Sequence, residues 1–124
     1  MMARVLIVDD APFMRGMLRD ILLPPDFEVV GEAEHGVEAV EKFRQLKPDL
    51  VTMDVVMRDK SGLEAMREIM EADPKAIVVM CSALGHDALV TEALETGAVD
   101  FIVKPFRAED VRAILKRALA QRQS

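Results

Sequence analysis

Apolar residues arrive along this chain in short bursts separated by polar breaks, and the spacing within the bursts alternates between two kinds. Val5-Leu6-Ile7-Val8 is an apolar, β-branched run that stops at Asp9-Asp10, the pattern of a strand buried on both faces. Phe13, Met17 and Ile21 then recur every four residues, with Met14, Leu18 and Leu22 beside them, which predicts a helix with one apolar face. Pro24-Pro25 stops it, because proline cannot continue a helix. The alternation repeats. Residues 27–33 read as a second strand, and Val37, Val40, Phe43 and Leu46 stripe a second helix that closes at Lys47-Pro48. Residues 50–53 form a third strand ending on a carboxylate, Asp54. Ser61, with Glu64 three residues on, is a capping box opening a helix that carries Leu63, Met66, Ile69 and Met70 and stops at Asp73-Pro74. Residues 77–80 predict a fourth strand running out through Cys81-Ser82-Ala83, and residues 87–96 a fourth helix with Gly97 just past its end. Residues 101–103 are the core of a short fifth strand that leads to Lys104-Pro105. Val111, Ile114, Leu115, Ala118 and Leu119 stripe a last helix, followed directly by a polar tail over residues 121–124.

Five strands alternating with five helices, without internal repeats, predict an α/β fold: a doubly wound parallel sheet with helices on both faces. At 124 residues there is room for one domain only, so residues 1–124 are expected to form a single unit with no output domain. Composition narrows the function. The net charge of -6 and pI near 4.9, with no Trp or Tyr, argue against a nucleic-acid platform. The apolar runs are far shorter than the roughly 20 residues needed to span a bilayer, and the N-terminus has no signal-peptide pattern. One cysteine, Cys81, makes no internal disulfide, and the expected location is cytoplasmic.

In a doubly wound sheet, chemistry collects at the C-terminal strand ends where the strand order reverses. Those ends carry Asp9-Asp10, Asp54, Cys81-Ser82-Ala83 and Lys104-Pro105. Three carboxylates gathered at one edge repel one another, which invites a hard divalent cation; Mg²⁺ fits, since it takes one or two carboxylates and leaves positions for water and phosphate oxygens. A lysine and a serine hydroxyl beside it suit a phosphoryl group. The combination describes phosphoryl transfer onto an aspartate as covalent acceptor.

The order Asp9-Asp10, Asp54, Ser82, Lys104-Pro105 resembles the receiver domain of bacterial two-component response regulators over essentially the whole chain. The runs at residues 9–15, 80–85 and 100–106 look like the free-standing chemotaxis regulators of that family. The resemblance implies a flavodoxin-like sheet of order 2-1-3-4-5. It makes Asp54 the phosphoacceptor, supplied by a histidine kinase of the chemotaxis type. Asp10 and Asp54 would bind Mg²⁺ directly, with the backbone carbonyl of Val56 as a third ligand and Asp9 acting through a metal-bound water. Lys104 would pair with a phosphoryl oxygen, and its bond to Pro105 is a candidate cis peptide. Ser82 would hydrogen-bond the phosphoryl group and Phe101 would move inward, together forming the switch. Val56 and Leu84 would flank the path of attacking water and set the phosphorylated lifetime. The implied partners are that kinase, a flagellar motor switch protein docking on the face of helix four, strand five and helix five, and a dedicated phosphatase where the signal must be reset quickly. The chain is expected to act as a monomer, without nucleic acid or membrane, and to catalyse only its own phosphorylation and dephosphorylation.

Two positions depart from the family's pattern. Arg58 stands where proline is usual, and Phe101 lacks the hydroxyl of the tyrosine many chemotaxis regulators carry. Other readings exist for the same residues. The chain could be a phosphorelay intermediate, or the receiver fragment of a larger regulator. A Mg²⁺-dependent aspartyl phosphatase would place its nucleophile in an Asp-x-Asp run, which Ala11 breaks. A flavodoxin-type carrier would need a Ser/Thr-rich loop after the first strand and flanking Trp or Tyr, both absent. Cys81 reads as an inert small hydrophobe, His35 and His86 as exposed loop residues, and most of the nine methionines as core filling.

Overall fold

The computed structural model describes residues 2–57, 59–83 and 85–123. Its elements are β1 (Ala3–Val8), α1 (Pro12–Ile21), β2 (Phe27–Ala33), α2 (Gly36–Leu46), β3 (Leu50–Asp54), α3 (Gly62–Ala72), β4 (Val78–Ala83), α4 (Asp87–Thr96), β5 (Asp100–Lys104) and α5 (Ala108–Gln123). The strands form one parallel sheet in the order β2-β1-β3-β4-β5. Consecutive strands parallel to one another need crossovers, and the helices supply them on both faces.

Alternation along the strands divides the core in two. Leu6, Val8, Val51, Met53, Val78 and Met80 point to the layer filled by Ala39, Val40 and Phe43 of α2, Met66 and Ile69 of α3 and Ala93 of α4. Val5, Ile7, Leu50, Val79, Cys81 and Ile102 point the other way, against Leu18 of α1 and Val111, Leu115 and Ala118 of α5. Both faces of the central strands are thus dry, which is why they read as continuous apolar runs rather than alternating ones.

Element ends agree with their local chemistry, with three differences. Ser61 Oγ accepts from the Glu64 N–H at 3.2 Å and opens α3, and Gly97 closes α4 at a φ of 139°. However, α5 continues to Gln123, so the polar tail is helical as far as that residue: Gln and Arg are good helix formers. The fourth strand begins at Val78 and extends to Ala83, because pairing of Ser82 with Val103 and Ala83 with Lys104 keeps the ladder going. Phe13 is 76% exposed and belongs to no core. It lies five residues before Leu18, roughly 140° around the helix from the buried line through Leu18 and Leu22.

Candidate functional site

The strand order reverses between β1 and β3, and both strands end there in carboxylates. Val8 pairs with Met53, so the next residues in each chain direction, Asp9 and Asp54, leave the sheet side by side. Asp10 follows immediately. One carboxylate oxygen from each of Asp9, Asp10 and Asp54 lies within 4.8 Å of the others. Asp9 is 1% exposed; its Oδ1 accepts from the Ala11 N–H at 2.9 Å, and its backbone carbonyl accepts from Arg15 Nη1 at 2.6 Å. Asp54 Oδ1 accepts from the Val56 N–H at 3.2 Å.

Lys104 reaches these groups from β5, two strands and about 10 Å from β3. Its Nζ donates to Asp9 Oδ2 at 2.9 Å and to Asp54 Oδ2 at 3.3 Å. Burial works against the ammonium, but its bond to Asp9 and the charges of Asp54 and Asp9 prevail, and its pKa is raised. The Asp54 carboxyl also lies above its ordinary value: burial is the main cause, Asp9 adds to it, and Lys104 opposes it. One ammonium against three carboxylates leaves negative charge unbalanced, and every donor is a hard oxygen, a set suited to a hard divalent cation rather than a thiophilic one.

Ser82 is buried at the end of β4, where its Oγ donates to the Ala83 carbonyl at 3.2 Å. Beside it a recess of ≈ 260 Å³ is lined by Ser82, Asp87, Val90, Leu94, Phe101 and Val103. Phe101 is half-buried, packed against the core on one side and open to that recess on the other. The Lys104–Pro105 bond is cis, as expected from the resemblance. Val56 is 52% exposed beside the carboxylates. Leu84 and Arg58 lie outside the described residues. Burial pushes the Cys81 thiol up to about 12, in keeping with an inert side chain.

Sequence reasoning missed two groups next to this edge. Asp59 accepts from the Gly36 and Val37 N–H groups at 3.0 and 3.3 Å, a contact between residues more than twenty apart that no local pattern signals. His35 is the N-cap of α2, its Nδ1 accepting from the Glu38 N–H at 3.2 Å, rather than a plain exposed loop residue. His86 likewise sits, half-buried, at the start of α4. The signal for His35 was present: Glu38 stands three residues after it, the spacing at which a cap meets the third helical amide.

Doubly wound topology and an acidic switch point opposed by one lysine define a class, and the sequence matches it: residues 5–116 fit the response regulator receiver domain, and the chain belongs to that family. Within the family it is similar to chemotaxis protein CheY. It is 53% identical to that of Listeria monocytogenes over 117 residues, covering 94% of this chain and 98% of the relative. It is 54% identical to that of Thermotoga maritima over 114 residues, covering 92% and 95%. Among solved structures it resembles a CheX–CheY–BeF3–Mg²⁺ complex from Borrelia burgdorferi, with a TM-score of 0.85 and 38% identity over 95% of this chain and 87% of the other. No helix among the described residues is long and apolar enough to cross a membrane.

Proposed function

We propose that the chain accepts a phosphoryl group from a phosphohistidine of a chemotaxis-type histidine kinase on Asp54, in a Mg²⁺-dependent reaction. The observation that carries this reading is that Asp54, its side chain 14% exposed, shares one cluster with the carboxylates of Asp9 and Asp10 and accepts from the ammonium of Lys104. An Asp54 oxygen attacks phosphorus, the new P–O bond replaces the P–N bond of the donor, and the electron pair stays on the departing imidazole. Asp10, Asp54 and the Val56 carbonyl would hold Mg²⁺, with Asp9 one water away; the ion supplies charge stabilisation to the phosphoryl oxygens. Lys104 is already poised between Asp9 and Asp54, so it needs only to exchange a carboxylate for a phosphoryl oxygen.

The switch follows from the neighbouring strand end. Ser82 turns its hydroxyl from the Ala83 carbonyl to the phosphoryl group and draws the loop before α4 inward, and Phe101 fills the adjoining recess. That reshapes the surface of α4, β5 and α5, where a flagellar motor switch protein docks. The chain acts as a single cytoplasmic receiver unit, reset by a dedicated phosphatase where speed demands it. The test is labelling by acetyl phosphate or a phosphohistidine donor: Mg²⁺-dependent incorporation in the unaltered chain and none in Asp54→Asn, followed by capture of motor switch protein by the phosphorylated form only. Labelling that survives Asp54→Asn would overturn the reading.

A further inference from the structure

Resting on the reading of Val56 as a metal ligand, we propose that Asp59 is a positioning residue. Its carboxylate latches the loop between β3 and α3 onto the start of α2, and so fixes the Val56 carbonyl for a cation held by Asp10 and Asp54.

The loop is pinned at one end by ordinary packing. Val55 and Met57 are 2% and 8% exposed in the core, and the Gly62 N–H donates to the Val55 carbonyl at 2.9 Å. Val56 lies between those two core anchors. Among the described residues of the outer half of the loop, Asp59, Lys60 and Ser61 lie outside the core, and the sequence has Arg58 where the family usually carries proline, whose ring would fix one backbone dihedral. Asp59 supplies the restraint in a different way. Each of its oxygens takes one amide of the first turn of α2, Gly36 at 3.0 Å and Val37 at 3.3 Å. Those amides would otherwise lack partners, since His35 caps only Glu38, and the positive end of the helix favours a carboxylate there.

Close packing shows that the two segments were built to meet. A Cβ added at Gly36 would stand 2.6 Å from Lys60 Cβ and 2.8 Å from the Lys60 carbonyl oxygen, so the helix can only begin here with glycine. Lys60 in turn pairs with Glu68 of α3, tying the loop to both neighbouring helices. Burial pushes the Asp59 carboxyl up, but the amides of Gly36, Lys60 and Val37 outweigh it and hold the group at about 2. The latch is therefore ionised throughout the physiological range.

The experiment compares the unaltered chain, Asp59→Ala and Asp59→Asn. Mg²⁺ affinity is read from amide chemical shifts of residues 54–57, and amide exchange is followed at Gly36 and Val37. Asp59→Ala is expected to weaken Mg²⁺ binding about tenfold, the low end for losing a group that orients a ligand, and to speed exchange at both amides. Asp59→Asn, with one acceptor oxygen left, falls between. Repeating the titration at about 1 M salt, where the screening length is roughly 3 Å, separates position from charge: the weakening persists if the latch positions the carbonyl. Equal affinity in Asp59→Ala and the unaltered chain, or a difference abolished by salt, overturns the proposal. If the unaltered chain itself ignores Mg²⁺, the reading of the metal site fails first and the proposal falls with it.

Discussion

At the scale of single residues, the three carboxylates are not equivalent. Asp9 is buried and already compensated by Lys104 at 2.9 Å, whereas Asp10 is half-buried and makes no ion pair among the described residues. Removing charge at the two positions should therefore act in opposite directions. Asp10→Asn relieves repulsion and is expected to raise the stability of the metal-free protein by about 1 kcal/mol, roughly 3–6 °C in melting temperature. Asp9→Asn strips Lys104 of its buried partner and should lower stability by about 1.5–3 kcal/mol. Both should blunt the stabilisation by Mg²⁺, and melting curves in chelator and in Mg²⁺ check all of this. The pH dependence has a definite sign. The Asp54 carboxyl is raised in the fold, so its contribution to stability is present below the ordinary carboxylate range and is lost as pH rises through its folded value; Mg²⁺ should restore it. A further residue-scale expectation concerns lifetime. Val56, exposed at the site, and Leu84 are both apolar, so neither orients an attacking water. Val56→Asn with Leu84→Glu should speed phosphate loss roughly tenfold, about 1–2 kcal/mol in barrier. Decay measured in excess Mg²⁺ decides it, and unchanged or slower loss would show that another group sets the lifetime.

At the scale of elements, the join between β3 and α3 carries the tightest constraint. A Cβ on Gly62 would lie 2.2 Å from the Asp54 carbonyl oxygen and 2.9 Å from Val55 Cα, both backbone atoms with nowhere to go. Gly62→Ala must therefore move the end of β3 that carries Asp54. It is expected to lower stability by about 1–3 kcal/mol and to slow phosphorylation more than a comparable loss elsewhere, such as a core truncation in α5. Denaturant midpoints alongside initial labelling rates test this; a variant that is less stable yet labelled normally would contradict it. Much of this level was legible beforehand. Strands and helices separate cleanly because the buried strands are unbroken apolar runs and the helices carry fourfold spacing. What stayed hidden depends on contacts between distant segments. The register of β1 on β2 slips between Val5 and Leu6, and Gly31 leaves room for Leu46 of α2, whose Cδ1 would be 2.6 Å from an added Cβ. Neither is encoded in a local window. Phe13 fits a fourfold pattern by number, yet it stands outside the buried face because the face is set by where α1 rests on the sheet.

At the scale of the molecule, one topological fact organises the site: β1 and β3 are neighbours at the reversal of strand order, so residues 45 apart in sequence share an edge. Asp9, Asp10, Asp54 and Lys104 were legible as a group because each ends or follows a strand, and parallel strands place all such ends together. Asp59 was not, since its partners are the amides of another helix and any acceptor side chain could have served. The account's central claim is that the cluster exists to phosphorylate Asp54. It is tested most directly by treating the chain with acetyl phosphate and Mg²⁺, trapping the acyl phosphate with borohydride and locating the reduced residue by peptide mass spectrometry. Modification is predicted at Asp54 alone, and only when Mg²⁺ is present. Trapping at another carboxylate, or equal trapping in chelator, would contradict the account.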